Sequence, residues 1–239
     1  MTDKGQKRKG YSCHAIQVEI MHNKPTASLQ NKRAVLFIKV VCRANAKHVA
    51  LTLMSSKYKF HDQDKLYFIS FAVVNWIDLF IRNEYKDIML DSFRHCQQHK
   101  GLDIYGWCIM SSHIHMIVGT HGDKLENIMR DMKKHTSKTL REAIKNHPQE
   151  SRREWMLWMM ELAGKKNSQN TGFQLWQQDN HPIELFDAKI LYQKLDYIHN
   201  NPVEAGIVEN PEYYLYSSAR NYYGLQGLLD VQLVEPQVM

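Results

Sequence analysis

The chain has 239 residues, 44% of them hydrophobic, which is enough for the core of one large domain or of a domain with an appendage. Its four cysteines are scattered and form no CxxC pair, which argues against a disulfide framework or a zinc knuckle and favours reduced thiols. No apolar stretch reaches membrane-spanning length and no signal peptide is recognisable, so we expect a soluble, cytoplasmic protein.

The net charge of +6 is distributed unevenly along the chain. Residues 1–53 contain 10 Lys/Arg and 2 Asp/Glu, whereas residues 54–239 contain 21 Lys/Arg and 23 Asp/Glu. A basic arm suits the phosphates of a nucleic acid, but the first 53 residues could equally be upstream sequence or a disordered tail before a domain that starts at Met54. We expect residues 1–53 to be a basic, poorly ordered extension and residues 54–239 to be the functional domain.

The first half of the domain predicts three strands and one helix. Residues 66–74 are β-branched, aromatic and apolar, as in a buried strand. Residues 84–100 follow with a helical period, and Gly101 stands where a helix-terminating glycine belongs. Residues 102–110 predict a second strand, and after a turn the third strand runs over residues 113–119.

Two further helices are predicted in the middle of the chain. Residues 123–146 form a long amphipathic helix with one apolar and one basic face, and residues 152–162 form a shorter one. We expect Trp155 and Trp158 of the shorter helix to lie in the core. The polar residues 164–172 predict a loop.

The C-terminal third completes the layout. Residues 173–176 are the candidate fourth strand, and Asp187 caps a last long helix that extends to about residue 200 and ends at Pro202. This order of elements predicts an α+β, ferredoxin-like (split β-α-β) fold, in which an antiparallel sheet carries helices on one face.

A pair of histidines, His113 and His115, interrupts the apolar third strand. Side chains of a strand alternate between its two faces, so both imidazoles point the same way while Ile114 and Met116 point the other way. Two adjacent imidazoles can occupy neighbouring positions around a metal ion. An ordinary pair of histidines on an open sheet face fits the pattern equally well.

Two polar side chains of the last helix could complete such a site. Tyr197 and Asn201 are four residues apart and share a face that differs from the apolar stripe of the helix. Against the histidine strand, this face would add a phenol and an amide oxygen to two imidazole nitrogens. Such a donor set leaves positions open for a phosphate oxygen, and a phenol is a nucleophile whose attack on phosphorus can be reversed.

These two segments resemble the two signatures of the single-tyrosine HUH transposases. The first is His-Ile-His at residues 113–115, and the second is the run Tyr-Ile-His-Asn-Asn-Pro-Val-Glu-Ala-Gly at residues 197–206. The branch with the greatest similarity is that of the REP-associated tyrosine transposases, relatives of the smallest insertion-sequence transposases. The resemblance extends over residues 57–223 and includes nothing before Met54.

The resemblance implies a ferredoxin-like sheet with the histidines on a central strand and the tyrosine on a C-terminal helix. It also implies a transposase that cleaves and rejoins single-stranded DNA near a hairpin through a 5′-phosphotyrosine, with Mg²⁺ or Mn²⁺ as cofactor. Carried over by residue, it makes Tyr197 the nucleophile and His113, His115 and Asn201 the metal ligands. The insertion-sequence relatives usually carry Gln where this chain has Asn201, whose side chain is one methylene shorter.

The partner expected on this basis is single-stranded or hairpin DNA, with the protein on the nucleoid when bound, and no membrane. The best candidate phosphate contacts are basic side chains of the helix over residues 123–146 together with one C-terminal arginine, although a basic helix face is by base rate a solvated surface. These residues are Arg130, Lys133, Lys134, Lys138, Arg141 and Arg220. The sequence leaves open whether the protein acts as a monomer or as a homodimer.

Three other functions compete with this interpretation. The same fold could bind a DNA or RNA hairpin without cutting it, and a replication initiator or relaxase would share the chemistry but not the substrate. A histidine-triad phosphohydrolase would need a third alternating histidine, but residue 117 is Ile.

Overall fold

The computed structural model describes residues 60–167, 172–178 and 180–234. The predicted basic extension over residues 1–53 lies outside these residues and stays a prediction, as does the domain boundary at Met54. The helices and strands, in chain order, are β1 (Tyr67–Ala72), α1 (Asn83–Lys100), β2 (Leu102–Ile109), β3 (His113–Thr120), α2 (Leu125–Asn146), α3 (Arg153–Lys166), β4 (Ile183–Glu184), α4 (Ala188–Glu204) and α5 (Ala219–Tyr222).

The strands form one antiparallel sheet in the order β2-β3-β1-β4. β3 is therefore an inner strand, and its pairing with β1 runs from Val118 opposite Tyr67 to His113 opposite Ala72. The predicted α+β, ferredoxin-like fold is confirmed, with the histidine pair at the start of an inner strand.

The two faces of the sheet carry different helices. Phe71 of β1 and Ile114 of β3 point to the first face, where Lys133 of α2 lies 5.8 Å above the Phe71 ring. Helix α4 lies on the second face. Its Leu195 is so close to Gly106 of β2 that a Cβ atom added to this glycine would meet the leucine side chain. Helices α1 and α2 also contact one another. The histidines therefore face α4 across the sheet from α2.

The C-terminal segment follows the outer edge of β2. Ile109 donates its backbone N–H to the Tyr216 carbonyl at 3.0 Å, and Ser218 donates to the Trp107 carbonyl at 2.9 Å. Further along the strand, the Gln232 N–H reaches the Ile104 carbonyl at 2.8 Å. Backbone groups on this edge of the strand are thus paired by the same chain.

The fourth strand differs from the prediction. It is the two-residue β4, whereas residues 173–176, predicted to form it, contribute a single bridge between Trp176 and Val73. The apolar character of that segment has another cause, because Leu175 and Trp176 are buried and the Trp176 indole donates to Thr136 of α2 at 3.1 Å.

The last helix is longer than predicted. Pro202 stands inside α4 instead of ending it. Its missing N–H removes only a bond near the C-terminus of the helix, which ends at Glu204, and Gly206 then has a φ of +69°. The Gly206 and Ile207 N–H groups donate to the Val203 and Pro202 carbonyls, which is the Schellman pattern.

Two smaller predictions about the middle of the chain also need correction. Trp155 and Trp158 are exposed on α3 instead of lying in the core. The helix continues to Lys166, so the predicted loop over residues 164–172 starts later, and residues 168–171 lie outside the described part. Within that described part, no helix is long and apolar enough to cross a bilayer.

Candidate active site

The two histidines lie side by side on the second face of the sheet. Their ring centroids are 4.8 Å apart, and the ring planes are inclined by 74°. His115 is buried and stacks on Phe68 at 5.6 Å, whereas His113 is half-buried at the end of the strand, with its Nδ1 atom 3.3 Å from the Ser112 hydroxyl. The alternation predicted from the sequence therefore brings both imidazoles to one place.

The surroundings keep both imidazoles neutral. Burial, followed by the nearby His113 and the charge of Lys194, lowers the pKa of His115 to about 3. Burial also lowers the pKa of His113, against the opposing effects of a hydrogen bond with Asn201 and of the Asp78 carboxylate. A neutral imidazole has a lone pair to offer, and the buried Nδ1 atom of His115 has no hydrogen-bond partner among the residues that the structure describes.

Helix α4 presents Tyr197 to this pair. Asp187 caps the helix by accepting the Ile190 N–H at 2.7 Å, and Leu195 and Ile198 are buried. The Tyr197 hydroxyl lies 3.5 Å from Nε2 of His115, at the upper limit of a hydrogen bond, while 41% of the residue is exposed. The phenol is thus anchored beside the histidines and is still accessible to a large substrate.

Asn201 lies one helical turn after Tyr197, and its side chain is close enough to His113 to oppose the lowering of that residue's pKa. Each polar residue of the helix face thus contacts a different histidine. Among the described residues, no three His, Cys, Asp or Glu side chains gather closely enough to hold a metal ion. An amide oxygen beside two neutral imidazoles is therefore the donor set that this site offers to a divalent metal.

The close approach of α4 to the sheet depends on Gly106. A Cβ atom at this position would lie 2.8 Å from Cδ1 of Leu195 and 3.7 Å from a methyl group of Ile198. A side chain on this residue would therefore push outward the helix that carries Tyr197.

We expect Gly106→Val to lower the free energy of unfolding by about 1–3 kcal/mol, since overpacking a tight interface forces the elements apart. Urea denaturation monitored by circular dichroism measures the change. Gly106→Ala should have a smaller effect, because its single methyl meets the movable end of Leu195, and adding Leu195→Ala to Gly106→Val should relieve part of the clash. A Gly106→Val variant as stable as wild type would contradict this account of the interface.

The sequence interpretation missed two neighbours of the site. Lys194 places its ammonium group 4.7 Å above the Phe68 ring and 5.7 Å from the Tyr197 ring centroid. Trp76 packs its edge against His113 at 5.5 Å. The spacing of Lys194, Tyr197 and Asn201 along one helix face could have revealed the lysine, whereas no pattern around Trp76 points to the histidines.

Five of the six predicted DNA-binding residues lie on α2, on the opposite face of the sheet from the histidines. Helix α2 lies across the sheet, and several of the six side chains have partners within the chain: Lys133 donates to the Gln177 carbonyl and to Asn180, Arg141 lies over Phe173, and Arg220 donates to the Gln226 and Glu212 carbonyls. Arg130 contacts Asp131 and Asn127. Lys134 and Lys138 are exposed. Phosphate binding by this set stays a prediction.

His199 belongs to the scaffold instead of the candidate site. It is buried, its Nε2 atom lies 2.9 Å from the Ser218 hydroxyl, and its ring contacts Tyr222. Burial lowers the pKa of His199 to about 4, so its neutral ring links α4 to the C-terminal segment.

Comparison with known proteins finds one matching family model and two similar solved structures. Residues 72–171 match the family model described as "Transposase IS200 like", a segment that includes both histidines and ends before Tyr197. Among solved structures, a REP-associated tyrosine transposase bound to a REP hairpin shares 15% identity at a TM-score of 0.51, with 77% of this chain and 96% of that chain covered.

A protein of Deinococcus radiodurans R1 assigned as a transposase shares 15% identity over 61% of this chain and 96% of that chain, with a TM-score of 0.34. No curated protein matches the chain. The family match over residues 72–171 agrees with the resemblance seen in the sequence, and the first of these structures shares the fold. Residues 72–171 of this chain are therefore similar to the IS200-like transposases.

Proposed function

We propose that the protein is a metal-dependent endonuclease and strand transferase that cuts and rejoins single-stranded DNA through a 5′-phosphotyrosine on Tyr197. The observation that carries the proposal is the Tyr197 hydroxyl 3.5 Å from Nε2 of His115, with Asn201 of the same helix near His113. The substrate we propose is a single strand next to a hairpin, by analogy with the REP hairpin bound by the structural neighbour.

The metal in this proposal is Mg²⁺ or Mn²⁺, held by His113, His115 and Asn201. The fit rests on two neutral imidazoles, on the unpartnered Nδ1 atom of buried His115 and on the adjacent amide. When bound, such an ion would polarise the scissile phosphate and stabilise the charge that builds up on it. An amide ligand adds no negative charge to the site, which leaves the ion fully able to attract a phosphate.

The proposed reaction exchanges one ester for another. The Tyr197 oxygen forms a bond to phosphorus and the bond from phosphorus to the 3′-oxygen breaks, so that the phenol proton is released and the leaving strand takes up a proton as its 3′-hydroxyl. The energy of the phosphodiester is retained in the phosphotyrosine. A 3′-hydroxyl that attacks this linkage reverses the step and rejoins DNA without any other energy source.

Lys194 is placed to support this exchange. Its ammonium group lies near the rings of Phe68 and Tyr197, and it is close enough to contribute to the lowered pKa of His115. A fixed positive charge beside the nucleophile favours both the incoming phosphate and negative charge on the phenol oxygen.

We expect Lys194→Met, which keeps the apolar stem and removes the charge, to slow single-turnover cleavage by about 10- to 100-fold. Quenched time courses on a labelled hairpin-bearing strand provide the rate. Lys189→Met, on an exposed position of the same helix, is the matched control and should change the rate by less than about twofold. Equal cleavage rates for the two variants would show that the charge of Lys194 does not contribute to cleavage.

The direct test of the function is a search for a covalent adduct. Single strands that carry hairpins from the flanks of the gene are labelled at the 3′ end and incubated with the protein and Mn²⁺, and the 3′-side segment joined to the protein through its 5′-phosphate is sought on denaturing gels. An adduct mapped to Tyr197 supports the proposal. Binding without cleavage would favour a hairpin-binding protein, and hydrolysis without an adduct would favour attack by a metal-activated water.

A further inference from the structure

Trp76 is a large exposed aromatic residue beside the histidine pair. Its ring makes an edge-to-face contact with His113, with 5.5 Å between centroids and 71° between planes, and 58% of the residue is exposed. Among the described residues, Trp155 and Trp158 are comparably exposed but have no ring contact with either histidine. An indole in this position adds little to the core.

The backbone that presents this indole is strained. Asn75 and Trp76 have consecutive positive φ angles of 56° and 54°. Asparagine tolerates the left-handed region, but for a bulky residue such as tryptophan it is a clear outlier. Residues held in such conformations concentrate at functional sites, where the surrounding structure enforces them.

The surrounding structure here does enforce the turn. The Val73 N–H donates to the Ser112 carbonyl at 2.8 Å, and the Val74 N–H donates to the Leu175 carbonyl at 2.7 Å. Val74 and Ile77, on either side of the strained pair, are buried. The turn is therefore fixed to the hairpin that carries the histidines, and the indole is held at a defined place on the His113 side of the site, while Tyr197 contacts His115 on the other.

We infer that Trp76 is the stacking platform for an unpaired nucleobase of the nucleotide adjoining the scissile phosphate. The inference rests on the proposed function, because that function places a phosphate between Tyr197 and the histidines. A base on Trp76 would fix the strand on the side of the site away from the nucleophile. Stacking on an aromatic ring tolerates any base, so this platform would position the strand without reading its sequence.

Binding measured without metal tests the inference. Fluorescence anisotropy of a labelled hairpin-bearing single strand, in EDTA, needs neither cleavage nor an adduct. Trp76→Ala should weaken binding by about 5- to 100-fold, the range expected for one lost base stack. Trp158→Ala, which removes an indole of nearly equal exposure (59%), is the matched control and should leave the affinity within about twofold. Trp76→Phe should retain part of the affinity.

Abasic substitution identifies the stacked base. Removing the base on one side of the cleavage position should weaken wild-type binding as much as Trp76→Ala does, and should weaken the Trp76→Ala protein no further. Additive losses, or equal affinities for Trp76→Ala and Trp158→Ala, would overturn the inference. The inference would also be overturned if Trp76→Ala bound DNA in EDTA as tightly as wild type but needed more Mn²⁺ for cleavage, because Trp76 would then act only by supporting His113.

Trp76→Gly separates stacking from folding. Glycine adopts the left-handed region freely, so this variant should lose affinity as Trp76→Ala does while its unfolding midpoint equals or exceeds that of wild type. A clear drop in the midpoint would make the indole a packing residue and overturn the inference. If wild type binds with this pattern but never cleaves, the proposed function fails and the stacking site stands.

Discussion

Tyr197→Phe should abolish both DNA cleavage and the protein–DNA adduct while leaving the fold intact. The substitution removes one oxygen from a residue that is 41% exposed and whose ring contacts with Phe68 and His115 do not need the hydroxyl. Loss of a covalent nucleophile lowers a catalysed rate by on the order of 10⁴-fold or more. Gel assays of cleavage and adduct, run beside thermal unfolding, measure both parts of the expectation.

Tyr213→Phe is the matched control for this experiment. Tyr213 is even more exposed, at 62%, and lies in the C-terminal segment, so its loss should affect neither cleavage nor binding. Binding of DNA by Tyr197→Phe should equal that of wild type. An adduct mapped to Tyr192, Tyr213 or Tyr216 would assign the nucleophile to that residue. Undiminished cleavage by Tyr197→Phe would show that Tyr197 is not the nucleophile.

Substitution of either histidine should have an effect of similar size. We expect His113→Ala and His115→Ala to lower cleavage by roughly 10³-fold or more, because the loss of a metal ligand removes several kcal/mol of charge stabilisation from the transition state. EDTA should do the same to wild type, and added Mn²⁺ should restore only the wild-type protein. Cleavage rates with and without metal, together with isothermal titration of Mn²⁺, provide the measurements.

The fold should survive both histidine substitutions. Neither imidazole forms a buried hydrogen bond like that between His199 and Ser218, so we expect both variants to unfold cooperatively, as the wild-type protein does. His121→Ala is the control, since His121 follows the same strand and its side chain, which contacts Asp103, is 69% exposed. Loss of folding in both His113→Ala and His115→Ala would indicate a structural pair instead of a catalytic one.

The sequence predicts the parts of this fold that have a strong period. The strands β1, β2 and β3 and the helices α1 and α2 were each predicted within a few residues, because buried strands and amphipathic helices repeat their apolar residues at a fixed spacing. β4 has only two residues and therefore no period. Residues 173–176 resemble a strand in sequence because burial of Leu175 and Trp176 against the rest of the domain produces the same composition as burial in a sheet.

The candidate site likewise has a part that the sequence predicts and a part that it does not. The shared face of His113 and His115 follows from alternation along a strand, and that of Tyr197 and Asn201 follows from helical spacing. Lys194 and Trp76 were missed because their contacts join different elements: Lys194 reaches Phe68 across the sheet, and Trp76 reaches His113 through a left-handed turn that tryptophan disfavours. Packing between elements determines such contacts, and no local pattern encodes them.

The pairing of the C-terminal segment with β2 also bears on where another chain could extend the sheet. An uncovered edge strand is a template on which another chain can add a strand, and it is a common start of aggregation. Here the bonds from Ile104, Trp107 and Ile109 to the C-terminal segment occupy that template, and the opposite edge, β4, offers only two residues. Another polypeptide could extend the sheet at β2 only after the segment from Tyr216 to Gln232 had been displaced.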